Sequence, residues 1–465
     1  MYFFLVSVIL YLVATICLYK EYFMQTKDFL NGSVSKTFFR YLIPAILANM
    51  VTSIYILADT IIIGKGLGME AMAALNILLP LFSIFFGVGL LYGVGGSVLM
   101  SIARGRGNHR LGEIYFTLAL ILNTITCILL TIIFLLWLEP IVQFLGATKA
   151  TMPFIKNYAP YVIGGLSAFA FSTFLQTFVR NDGAPKLSMV AVIAGGVLNV
   201  ILDILFVFPM HMGMAGASIA SVLGSLCTVS ILLFHFFKKS NGLKLRFQGC
   251  SLTHVKEILQ NGFTSFLLEI SSGIVTFVFN IQILKYAGEV GVSMYGVISN
   301  TAIIAVCLCN GINQAAQPIL STNYGAGLIN RIKDVRKIGI LTALLICAVP
   351  GILGLTVPNL FTYIFLNPTE ELLAMSETAI RIYFSGFFLT GINMFIVGYF
   401  QSTVKPLLSL ILCLLRGCVL SIVFVTILAP LFGIVGIWAS VPLAELVTLF
   451  IAIYFIKKHT KEGQA

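Results

Sequence analysis

Charge is what this sequence is short of. Only 10% of its 465 residues are Asp, Glu, Lys or Arg, and 59% are hydrophobic; a soluble domain carries roughly 25% charged residues. So little charge cannot cover a water-facing surface, and lipid is the remaining solvent. Histidine is scarce too, with five in all. His109, His235, His254 and His459 fall at the ends of apolar runs or in loops, and His211 in a "PMHMGM" turn. No nucleophile–base pair and no metal-ligand cluster emerges, which argues against an enzyme. Nine cysteines are present, but no C-x-x-C and no Cys/His ligand spacing, so neither a disulfide framework nor a bound metal is expected. G-x-x-x-x-G-K-[ST] is absent, so there is no P-loop for ATP and no cofactor is implied. "GKGLG" at Gly64–Gly68 reads as a glycine turn.

What the chain has instead is apolar length. Runs of about 20 residues, enough to cross the hydrocarbon core, recur at about 38–62, 72–101, 114–137, 154–178, 187–208, 214–237, 255–284, 292–320, 336–358, 375–400, 406–429 and 434–456. Lipid cannot satisfy backbone polar groups, and runs this continuously apolar are helices. The expectation is an all-α membrane protein with twelve spans and no sizeable soluble domain. A further apolar run at 1–23 has no basic n-region and no cleavage site. It reads equally as an extra helix or as a mis-assigned start, because Met24 opens a polar lead into the first span.

The charges that remain are ordered. With the start of the first span inside, 22 of the 28 Lys/Arg fall on cytoplasmic segments. Lys65, Lys149, Lys156, Lys285 and Arg381 fall outside, and Arg416 lies within a span. This is the positive-inside pattern. It places both ends of the twelve-span core in the cytoplasm and accounts for the net charge of +11 without a nucleic-acid partner.

The chain is also two copies of one unit. A shift of 220 residues lays Ile61, Ile63, Lys65 and Gly68 on Ile281, Ile283, Lys285 and Gly288. It lays Ser101, Gly105 and Gly107 on Ser321, Gly325 and Gly327, and Gly213 and Gly216 on Gly433 and Gly436. Pro185 and Pro406 match one residue out of step. One offset over most of the chain marks duplication. Six spans per copy make the copies parallel, related by an axis along the membrane normal, as in secondary transporters. The expected division is an N-lobe at 24–237, a basic linker at 238–253 and a C-lobe at 254–465. Gly89-x-x-x-Gly93 with Gly95 and Gly96 permits close helix packing, and Pro44 bends the first span.

Four carboxylates lie within spans: Asp59, Asp203, Glu269 and Glu445. Such an acid is costly and by default marks an ion pathway or proton relay. Asp59 and Asp203 lie at similar depth, towards the outer side. Tyr55 precedes Asp59 by four residues and Asn199 precedes Asp203 by four, which puts each pair on one helix face. Asp59 and Asp203 are therefore expected to face each other in the N-lobe; structural acids held by Tyr55 and Asn199 are the alternative. In the C-lobe, Glu269, Asn393 and Gln314 are candidates for a cation or substrate site. Glu445 reads as structural, and Arg416 as paired with an acid or with carbonyls.

These residues resemble the multidrug and toxic compound extrusion (MATE) family, and most of all its bacterial DinF/MepA-like branch. The likeness runs over about Asp28 to Lys457. It rests on "FFRYLIPAILANMVTSIYILADTIIIGKGLGMEAMAALNILLP", "FVRNDGAPK", "GGVLNVILDILFVF" with "GMAGASIAS", and "NGINQAAQPILSTNYGAG". It implies two six-helix lobes and an antiporter that exports organic cations from the bacterial cytoplasm, working as a monomer. It also implies an N-lobe cation site at Tyr55, Asp59, Asn199, Asp203 and Ser221, coupled to H⁺ or Na⁺, with Pro44 as the bending proline. Glu269 matches a seventh-span glutamate of the NorM-like branch. The tenth-span aspartate of that branch is missing, and Asn393 is the nearest polar substitute. A lipid-linked-oligosaccharide flippase of the same superfamily is the alternative, and it would need a cationic cavity.

Overall fold

The computed structural model describes residues 26–239, 241–365 and 370–462. The apolar run at 1–23 lies outside them. Every regular element among the described residues is helical, as a chain that must satisfy its own backbone in lipid requires. The first copy supplies α1 (Val34–Leu67), α2 (Met69–Gly105), α3 (His109–Leu136), α4 (Met152–Asn181), α5 (Pro185–Val207) and α6 (Gly213–Leu233). The second begins with α7 (Leu252–Gly288), α8 (Val290–Gly325), α9 (Ile329–Thr356) and α10 (Met375–Ser402).

A last helical stretch, Pro406–Lys458, is 53 residues long. At 1.5 Å per residue it would measure about 80 Å, against about 30 Å of hydrocarbon. Gly433, with φ 60° and ψ −140°, breaks it. It is therefore two crossings, α11 (406–432) and α12 (434–458), which completes the expected twelve. The spans are greasy on the outside. Along α3, Ile125, Ile128, Leu129, Ile132 and Leu136 form one exposed stripe at helical spacing, which suits contact with lipid and would aggregate in water.

The duplication is written into the backbone. Gly68 and Gly288, Gly107 and Gly327, and Gly213 and Gly433 are partners at the 220-residue offset, and all six take positive φ. The turn before Pro185 and Pro406 repeats as well, in the shifted register, but there Gly183 (φ 94°) has become Val404 (φ 52°).

The chain forms two compact units. One holds the described residues up to Phe266 together with Ser321–Ile329; the other holds Leu267–Leu320 and the described residues from Asn330 on. The first unit thus includes the linker and the opening turns of α7. Its helices meet at backbone distance. A Cβ on Gly89 would lie 2.5 Å from the Ala170 carbonyl oxygen, and one on Gly262 only 1.8 Å from that of Leu91. A Cβ on Gly105 would lie 2.1 Å from the Thr322 carbonyl oxygen, and one on Gly325 2.1 Å from that of Ile102. Residues 102 and 322 are repeat partners, as are 105 and 325. A contact that exchanges partners in this way is what a local twofold axis produces.

At the end of this unit that bears the basic loops, Asp182 caps α4 and holds the linker. Its carboxylate pairs with the Arg104 guanidinium, accepts from the Gly242 amide at 3.0 Å and meets His235 Nε2 at 2.6 Å. Arg104 also donates to the Gly242 carbonyl at 2.7 Å. Further along, Arg246 pairs with Glu113 at 2.7 Å, and its amide donates to Thr117 Oγ1 at 2.8 Å.

Candidate functional site

The N-lobe site is built where α1, α5 and α6 are pressed together. Glycines make the approach possible. A Cβ on Gly196 would lie 2.8 Å from the Tyr55 ring, and one on Gly224 would lie 2.7 Å from Asn199 Cβ. Tyr55 and Asn199 therefore sit directly on neighbouring backbones, and the acids one turn further along are carried into the same space. Asp59 lies about two turns from the end of α1 and Asp203 about one turn from the end of α5, at the end remote from the basic loops.

Hydrogen bonds join the set. Asn199 Nδ2 donates to Asp203 Oδ2 at 3.0 Å and to Ser221 Oγ at 3.4 Å. The Ser221 hydroxyl donates to Asp59 Oδ2 at 3.4 Å. Asp59 and Asp203 are thus linked through Ser221 and Asn199. Asp203 is fully buried and Asp59 partly so. Among the described residues neither acid has a basic partner. Two carboxyls in such surroundings cannot both be ionised without a cation or a shared proton.

The oxygens left over point the same way. Asp59 Oδ1, Asp203 Oδ1, Asn199 Oδ1 and the Tyr158 hydroxyl oxygen are all buried without a hydrogen-bond partner among the described residues. Tyr158, on α4, lies beside Ser221 and within the field of both acids. The donor set is all oxygen, without thiolate or imidazole. That chemistry fits a proton or a hard cation such as Na⁺, and not a soft metal. Tyr158 was invisible in the sequence, where an uncharged aromatic on an apolar helix looks like any packing residue.

The five residues expected in the N-lobe site, Tyr55, Asp59, Asn199, Asp203 and Ser221, are thus brought together. The three C-lobe candidates lie on three different helices. Glu269 is half-buried on α7 and Gln314 half-buried on α8. Asn393 on α10 is engaged by Glu445 on α12: its Nδ2 donates to the Glu445 side chain at 2.7 Å and to the Glu445 carbonyl at 2.8 Å. Glu445 in turn pairs with Arg416 at 2.7 Å. Pro44 is buried in α1, about four turns from Asp59.

Comparison with known proteins gives one answer at two levels. The MatE family profile matches residues 44–205 and 263–427, once in each copy. The chain is similar to the multidrug export protein MepA of Staphylococcus saprophyticus subsp. saprophyticus, with 24% identity over 93% of this chain and 95% of the relative. It is likewise similar to MepA of Staphylococcus aureus strain MSSA476, with 23% identity over 90% and 93%. Among solved structures, an outward-facing multidrug resistance transporter of the MOP superfamily superposes with a TM-score of 0.88 at 23% identity, over 96% of this chain and all of the other. A Vibrio cholerae MATE transporter superposes with a TM-score of 0.84 at 18% identity, over 92% and 97%.

Proposed function

Because the chain belongs to the MatE family, and is a multi-pass membrane transporter rather than an enzyme, we infer that it is a secondary antiporter. In this reading an inward flow of H⁺ or Na⁺ drives export of amphipathic organic cations from the bacterial cytoplasm, with the basic loops inside. The single observation that carries the coupling is the Asp59–Asp203 pair: two carboxyls joined through Asn199 and Ser221, with no basic partner and with unpaired oxygens around them among the described residues. Such a site needs a dissociable cation, and a cation bound in one state and released in the other biases the equilibrium between states. The names of the MepA relatives support drugs as substrates. The flippase reading calls for free cationic charge in the membrane, and Arg416 is already matched by Glu445.

The test is ethidium efflux from cells expressing the wild type, Asp59→Asn or Asp203→Asn at equal membrane levels, with proton and sodium gradients imposed separately. Each substitution is expected to lower gradient-driven efflux at least about tenfold, and the gradient that drives the wild type names the ion. Normal efflux by both variants would remove the acids from the mechanism.

A further inference from the structure

The C-lobe handles its buried acid in the opposite way. Arg416 Nη2 donates to Glu445 Oε1 at 2.7 Å, and Nε approaches Oε2 at 3.5 Å. The two side chains are 10% and 4% exposed. Asn393 donates to the other Glu445 oxygen, while its own Oδ1, also buried, has no hydrogen-bond partner among the described residues. An acid held by an amide donor therefore meets a cation, and that cation is covalently attached.

The repeat shows that this is a feature of one copy. Arg416 falls on the Gly195–Gly196 pair, in the 220- or the 221-residue register. Neither glycine leaves room for a side chain: a Cβ on Gly195 would lie 2.0 Å from Thr228 Oγ1, and one on Gly196 2.8 Å from the Tyr55 ring. Glu445 falls on Ser225, and Asn393 on Thr173. At these three positions the first copy thus has no charge, whereas the second has an acid and a fixed cation. Arg416 also stands in a π-helical turn, Leu415–Val419. Such a turn rotates the side chains beyond it relative to an ordinary α-helix and recurs at functional sites.

We propose that Glu445, positioned by Asn393, is a binding site for a planar guanidinium group, and that the Arg416 side chain is its resident occupant. The Glu445–Arg416 centre is then electrically neutral throughout the cycle, and Glu445 is withheld from dissociable ions. Free guanidinium-class cations occupy the site once the tether is removed. The inference does not depend on which ion moves through the N-lobe.

Thermal unfolding of the purified full-length protein tests it, with low-millimolar guanidinium chloride as probe and choline chloride at equal ionic strength as control. Arg416→Ala leaves Glu445 unpaired and is expected to lower the midpoint by about 5 °C or more. Guanidinium, and not choline, is expected to restore part of that loss. The wild type and the double variant Arg416→Ala with Glu445→Gln should not respond. Absence of rescue in a folded Arg416→Ala variant, or equal rescue in the double variant, would overturn the proposal. If Arg416→Ala alone fails to fold, the double variant decides: recovery of folding supports a counter-ion role, and continued failure makes Arg416 a packing residue and sinks the idea.

Discussion

Val404 occupies a backbone conformation that suits glycine. Its φ is 52°, and a β-branched residue there is strained by roughly 1–2 kcal/mol. The motif around it explains why the strain is tolerated. The Lys405 amide donates to the Phe400 carbonyl at 2.9 Å and the Val404 amide to that of Gln401 at 3.3 Å. These bonds close α10 as the corresponding ones at Gly183 and Ala184 close α4. Val404→Gly is expected to raise stability by about 1 kcal/mol, read as a higher thermal midpoint of the purified protein; an unchanged or lower midpoint would show that the strain is relieved elsewhere. The acids behave differently as sequence signals. Asp59 and Asp203 announced themselves because a charge in an apolar run demands a reason. Tyr158 gave no such signal, since its role depends on which helix lies opposite.

At the scale of elements, the linker is the instructive case. Its composition marked it as basic and interlobe, while its attachment depends on Asp182, a residue of the "FVRNDGAPK" stretch. Burial pushes the Asp182 carboxyl up, but Arg104, His235 and the Gly242 amide outweigh it and hold the group below the usual carboxylate range. A carboxyl depressed by folding stabilises the native state above its unfolded pKa of about 3.9, and that stability is lost as pH falls through the lower folded value. The clasp should therefore be complete at neutral pH and release only below about pH 4. Hydrogen exchange at Gly242 and Arg246 is the readout. Asp182→Asn should speed exchange at Gly242 at neutral pH and destabilise the unit by about 3 kcal/mol, because the Arg104 charge is left buried without its partner. Exchange in that variant matching the wild type at neutral pH would show that the linker is held by Arg246 and Glu113 alone.

Across the whole molecule, duplication sets the plan and departures from it set the roles. The compact unit that includes the first copy also takes in residues 252–266 and 321–329, seated against α2 through Gly262 and Gly325. Cutting the exposed linker near Gln248–Cys250 should therefore leave the two fragments associated. Affinity capture of one in mild detergent is expected to recover the other; separation on cleavage would show that the covalent link, and not the glycine contacts, holds those segments in place.

Composition, apolar length, loop charge and the repeat offset determined the class, the number of spans and the duplicated plan. Each of these is a property of a segment facing a solvent, and segments carry it in their own residues. The i, i+4 pairs Tyr55/Asp59 and Asn199/Asp203 were legible for the same reason, since one helix turn makes them neighbours. Tertiary structure decided the rest: that Tyr158 joins the acids, that Asn393 and Arg416 converge on Glu445, and that Asp182 clasps Gly242. Those contacts join residues far apart in the chain, and only helix packing at glycine distance determines which side chains meet.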